Sequence, residues 1–163
     1  MGAVQQNGSV SPGHSAVWTT NGVIQDGGPF PAGPRVLGRQ LGASFSTTTD
    51  QPILFPATVS ALSITGIIVT NASVNLTTAA GGFYPQASKA GSAIVAATQI
   101  YVALTSPSVL ISLPLTSAAQ TTRYSAANLG TIGTQLAIYF ALSTPQMGSA
   151  TADIYVLGVD LSA

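Results

Sequence analysis

Cysteine is absent from this 163-residue chain, glutamate does not occur once, and histidine and tryptophan each occur a single time. Without cysteine there is no disulfide scaffold and no thiolate metal site. Lys and Arg number 4 and Asp and Glu 4, so charged residues make up 5% of the chain, against roughly 25% in an ordinary soluble protein. Four scattered cations, Arg35, Arg39, Lys89 and Arg123, cannot displace the counterions of a nucleic-acid backbone, which excludes nucleic acid as a partner. A polybasic membrane patch is missing for the same reason.

Long apolar runs are missing too. A mean hydropathy of +0.45 would suit a membrane protein, but no run approaches the roughly 20 residues that span a bilayer. Ile64 to Val69 is broken by Thr65 and Gly66. No basic stretch leading into an apolar one opens the chain, so no secretory signal is expected. The catalytic inventory is equally thin. One histidine, His14, and four aspartates far apart in sequence (Asp26, Asp50, Asp153, Asp160) supply neither a base beside a nucleophile nor an evident carboxylate pair. The chain therefore reads as non-enzymatic, with no metal and no cofactor; a lone histidine in a turn is an ordinary polar residue, and Asp153 and Asp160 read as solvated outward residues.

What is present divides in two. Glycine and proline recur every few residues through the first 34, so no helix or long strand is expected to run through them. Within that stretch Val17-Trp18-Thr19-Thr20 and Val23-Ile24-Gln25 flank Asn21-Gly22, a hairpin signal because a two-residue primed turn needs positive φ at both centres. An isolated ribbon is marginal in water. A segment that cannot fold alone yet carries the single Trp18 reads as a docking arm. Its anchor candidates are Val17, Trp18, Val23 and Ile24, with His14 beside them.

The run from Gly8 to Gly28, GSVSPGHSAVWTTNGVIQDGG, resembles an N-terminal module of tailed-bacteriophage structural proteins, where it precedes assorted β-rich head-fibre, decoration or tail domains. The second half looks like a domain also met in phage genomes, through Ile68–Val74, Thr77–Gly82, Ala87–Lys89 and Ala150–Val156. The resemblance implies a virion structural protein at the particle surface, a capsid decoration (cement) or head-fibre protein. Its implied partner is the major capsid protein or another virion component. The alternative is a tail-associated adhesin or glycan-binding β-sandwich module. With zero net charge there is little electrostatic protection against self-association, which points to a homo-oligomer, a trimer being the favoured number.

Residues 29–42, PFPAGPRVLGRQLG, hold three prolines and three glycines and read as an exposed connector. The expected division is an anchoring arm with its connector over 1–42 and a folded domain over 43–163. In the latter, Ser44–Thr49, Ile53–Phe55, Ser60–Val69, Ser73–Thr78, Val109–Leu115, Gln135–Ser143 and Ala150–Leu161 read as strands. Ser60–Val69 is apolar on both faces and should be central; Ala79-Ala80-Gly81-Gly82 reads as a turn, 116–134 as a polar loop. Ala87–Thr105 reads as strand with at most a short helix. The last two strands should form a hairpin through 144–149, with Leu136, Ile138, Phe140 and Leu142 on one face. About eight short strands imply an all-β, two-sheet antiparallel sandwich of jelly-roll type behind an extended N-terminal arm. Tyr139 and Tyr155, on that hairpin, could then share one outer face as an oligomer or glycan-facing surface.

Overall fold

The structure, a computed structural model, describes Gln5–Gln6, His14–Trp18, Val23–Pro29 and residues 33–162. Among the described residues there are twelve strands and one short helix in chain order: β1 (Gln5–Gln6), β2 (His14–Trp18), β3 (Val23–Pro29), β4 (Arg35–Ser44), β5 (Gln51–Leu54), β6 (Ala61–Thr70), β7 (Ala80–Tyr84), β8 (Leu110–Leu113), α1 (Ser117–Thr121), β9 (Tyr124–Ser125), β10 (Gly130–Ile132), β11 (Gln135–Thr144) and β12 (Thr151–Asp160). Two compact units divide the chain, Met1–Ala32 and Gly33–Ala163. Among the described residues no helix is long and apolar enough to cross a membrane.

The second unit is an all-β sandwich of two antiparallel sheets. One has the order β4-β12-β6, with β8 and β9 end to end along the far edge of β6. In the other, β11 pairs β5 on one side and β10 and β7 on the other. The outer edge of β7 is covered by residues 94–101 through bridges at Phe83–Val95 and Ala80–Ile100. Leu136, Ile138, Phe140 and Leu142 do face the core together, against Ala152, Ile154 and Val156 of β12. At its centre Phe140 meets Phe45 and Phe83 at centroid distances of 4.9 and 5.0 Å, and Tyr101 stands edge-on to Phe45 at 5.0 Å. Each such buried ring contributes about 2–3 kcal/mol by area, and each pair about 1 kcal/mol more.

Several expectations are corrected. The domain begins at Gly33 and not at Ala43, because 35–44 is no connector: β4 pairs β12 along its length. Its glycines serve the strand. Gly38 lies where a methyl would press within 3.3 Å of Phe55 and Ile53, and Gly42 takes a φ of +62° beside a bulge that opposes Leu41 and Gly42 to Asp153. Strand bulges and close approaches favour glycine in this way.

The chain from β11 to β12 is not a hairpin. The two strands belong to different sheets, and 145–150 crosses between them, held by Gln146 N–H to the Phe45 carbonyl and Phe45 N–H to the Ala150 carbonyl, both 2.7 Å. Gly81-Gly82 is strand, not turn. Residues 73–78 form no strand, although Leu76 is buried; Val74 is 44% exposed. Ala87–Thr105 holds bridges and turns without a strand or helix, and the one short helix lies in the stretch expected to be a polar loop, with β9 and β10 beside it. Strand β6 is central, but it reverses faces. Leu62 and Ile64 point to the core, Thr65 is an extra residue opposite the Leu157–Gly158 step, and beyond it Ile67 and Val69 point inward.

Candidate functional site

In the first unit β2 and β3 run antiparallel, and β1 lies parallel on the other edge of β3. This places the five proposed anchors on neighbouring strands: His14, Val17 and Trp18 on β2, Val23 and Ile24 on β3. Trp18 is the cross-strand partner of Ile24, and Val17 of Gln25. A two-residue loop at Asn21-Gly22 would instead set Trp18 opposite Gln25, so the register is one residue from that expectation. The Asn21-Gly22 turn itself lies outside the described residues.

In the sandwich Tyr139 and Tyr155 do not share a surface. Tyr139 lies on the outer side of β11, only 8% exposed, between Tyr84 and Pro52, and its ring covers Gly130, where a methyl would stand 2.5 Å from the ring. Tyr155 lies on β12 between Arg39 and Ile68 in the opposite sheet. Since the strands are not a hairpin, their outward residues face away from each other across the core.

The carboxylates of the domain hold backbone in place. Asp50 accepts from Ser88 N–H. Asp153 accepts from Gly42 N–H at 2.8 Å and from the Asn71 amide at 2.9 Å. Asp160 accepts from Arg35 at 2.9 Å and from Ser162 N–H at 3.0 Å. Hydrogen bonds from Ser162, and then Arg35, hold its carboxyl below the ordinary range. Asp153 and Asp160 are thus fastened rather than merely solvated. Burial pushes the Tyr101 phenol upward, and its hydroxyl donates to the Gly81 carbonyl at 3.2 Å. Among the described residues no three His, Cys, Asp or Glu side chains gather as metal ligands would.

Two concavities mark the surface of the domain. A groove of about 360 Å³ runs along the seam where edge strands β4 and β5 of opposite sheets meet, lined by Val36, Leu37, Arg39, Leu54, Phe55 and Gln135 among others. Val36 and Leu54 are 51% and 37% exposed there. A second cavity, of about 280 Å³, lies between residues 85–92 and 118–128. Sequence reasoning missed both. Their walls come from segments far apart in the chain, and neither carries a spacing that a linear pattern could reveal.

No family model, curated protein or solved structure matches the chain.

Proposed function

We propose that this chain is a structural protein of a tailed-bacteriophage virion, a capsid decoration or head-fibre protein that grips the shell through its N-terminal unit. The observation that carries the reading is the division at residue 32/33: a small three-stranded unit containing the phage-like run, and a separate sandwich with its own core. Multiple weak arms on one oligomer would bind by effective concentration, so a small grip suffices.

The strand order supports a jelly-roll reading. The first, last and third strands of the domain lie side by side in one sheet, and the second, next-to-last and fourth in the other. Jelly rolls recur in viral capsid proteins and lectins, so the fold is compatible with a virion and does not select it. Assembly as a homo-oligomer, a trimer in our reading, is supported by the scarcity of charge and by the exposed apolar side chains along the β4–β5 seam, Val36, Leu41 and Leu54. A gold-labelled antibody against the sandwich, imaged on purified particles, tests the assignment. Regular label on the heads supports it; label on tails selects the adhesin reading, and chain found only in the particle-free fraction overturns both.

A further inference from the structure

The cavity between residues 85–92 and 118–128 is left unexplained by shell binding, and we propose that it binds a neutral sugar ring. Its lining includes Pro85, Gln86, Ser92, Ala118, Tyr124 and Ala127, and its volume of about 280 Å³ lies at the lower end of small-ligand sites, enough for one ring.

The walls are fastened to each other without a ligand. Thr116 donates from its N–H to Ile94 at 2.9 Å and from its hydroxyl to Ala93 at 2.7 Å, tying the start of α1 to the opposite loop. Gly130 N–H donates to the Pro85 carbonyl at 2.7 Å on the other flank. Asn128 closes its own turn, accepting from Ser125 N–H at 2.8 Å and donating to the Arg123 carbonyl at 3.0 Å. Gly91, with a φ of +80°, folds over Pro85 so closely that a methyl there would stand 2.6 Å from the proline ring. A site formed in advance loses little order on binding.

Its chemistry selects a neutral ligand. No Asp, Lys, Arg or His lines it, and the flanking Arg123 donates to the Leu161 carbonyl at 3.2 Å. An ionised ligand would leave water without a counter-charge. Burial pushes the Tyr124 phenol upward. Pro85, Ala118 and Ala127 line the cavity together with Gln86, Ser92 and Tyr124, while the hydroxyl of Thr122 donates to the Ala118 carbonyl at 2.7 Å. A pyranose offers the same mixture, a C–H face within a rim of hydroxyls, whereas a wholly apolar ring would offer Gln86 and Ser92 nothing to bond. The ring can arrive as a free sugar or as the end of a glycan.

The test is a titration of the ¹⁵N-labelled full chain with glucose, galactose and N-acetylglucosamine, each free and as its methyl glycoside. A ring of about a dozen heavy atoms binds in the millimolar range at ordinary ligand efficiency. At least one sugar should give saturable shifts centred on the amides of 85–92 and 116–130. Binding retained by the glycoside identifies a glycan end; binding of the free sugar alone identifies a small solute. Ala118→Leu, at an exposed helical position, should weaken binding at least about tenfold with the melting temperature unchanged. Tyr124→Phe should weaken it about tenfold, the size of one hydrogen bond. Saturation by none of the sugars, shifts elsewhere in the domain, an affinity untouched by Ala118→Leu, or tighter binding of glucuronate than of glucose would each overturn the proposal.

Discussion

Gly82 passes beneath the carbonyl of Val95 so closely that a methyl on it would stand 2.4 Å from that oxygen, and 2.8 Å from the carbonyl oxygen of Ala96. The neighbouring Gly81 is as tightly held on its other side, where a methyl would stand 2.4 Å from the α-carbon of Leu142. These atoms are backbone and cannot step aside. Gly82→Ala should therefore cost roughly 2–4 kcal/mol. Gly66→Ala is the control: a methyl there makes an ordinary contact of 3.6 Å with Leu157, so its urea midpoint should stay near that of the parent chain. Equal effects of the two changes would show that β7 is not packed between 94–101 and β11 as described.

The aromatic cluster gives a second measure of the same core. Phe140 touches Phe45 and Phe83 with no exposure to solvent. Phe140→Ala should cost roughly 3–5 kcal/mol in urea unfolding. Tyr101→Phe removes one buried hydroxyl and strands the Gly81 carbonyl it serves, for about 1 kcal/mol.

Stability against pH follows from the same groups. Asp160 is held below its ordinary value of 3.8, so its contribution is present above that pH and is lost as the pH falls below about 4. Its partner Arg35 is exposed, which keeps the contribution small. Tyr101 is shifted the other way. Its phenol is raised above the ordinary 10.0 by burial, then by Tyr84, so its contribution is intact below pH 10 and falls as the unfolded chain ionises above it. The single histidine, His14, lies outside the sandwich. The urea midpoint of the domain should thus be flat from about pH 5 to 9 and fall on both sides. Tyr101→Phe should shallow the alkaline limb and leave the acid limb alone.

The last two strands were legible in sequence: β11 and β12 lie within a residue of Gln135–Ser143 and Ala150–Leu161, where the apolar pattern put them. Their pairing was not. A polar loop of six residues between two half-buried strands serves a hairpin and an inter-sheet crossing equally well, and only the partners of β12, which are β4 and β6, decide. Strand β4 was hidden because its glycines count as turn residues in composition, whereas Gly38 makes room for Phe55 and Gly42 for a bulge. Thr65 hid a change of face in the same way, since an extra residue in one strand is visible only against its neighbour. The cavity walls at 85–92 and 118–128 have no periodicity, and their proximity depends on hydrogen bonds such as Gly130 to Pro85 that no pattern announces.

Proteolysis distinguishes strand from connector at residues 35–42. Arg35 and Arg39 lie within β4, paired to Gly158 and Tyr155, and a protease needs locally open backbone. Lys89 sits in an exposed turn in which Ser88 and Lys89 both have a φ of 59°, and Arg123 is exposed between α1 and β9. Trypsin should cut first after Lys89 or Arg123, and mass spectrometry should find the N-terminal unit still attached, since no Lys or Arg precedes Arg35. Early release of a fragment ending at Arg35 would mean that β4 is not a stable member of its sheet.

The same strand fixes where the chain can be divided and what the N-terminal unit is for. A chain starting at Gly33 keeps β4, with its pairing to β12 and the Arg35–Asp160 contact, and should unfold cooperatively. A chain starting at Ala43 loses residues 35–42 of β4, the pairing they make with β12 and the Arg35–Asp160 contact, exposes most of one edge of β12, and should be aggregated or unfolded. The Gly33 chain is therefore the one that asks whether the sandwich binds particles by itself; under the proposed function it should not. Trp18→Ala asks the same question with a single side chain. A buried aromatic anchor contributes roughly 2 kcal/mol or more at an interface, about 30-fold in affinity, so the variant should leave particles at correspondingly lower concentration in a pelleting assay. Trp18 belongs to the separate first unit, so the melting of the sandwich should stay unchanged. Normal occupancy by either chain would place the grip in the sandwich instead, and would make the β4–β5 seam the first surface to mutate.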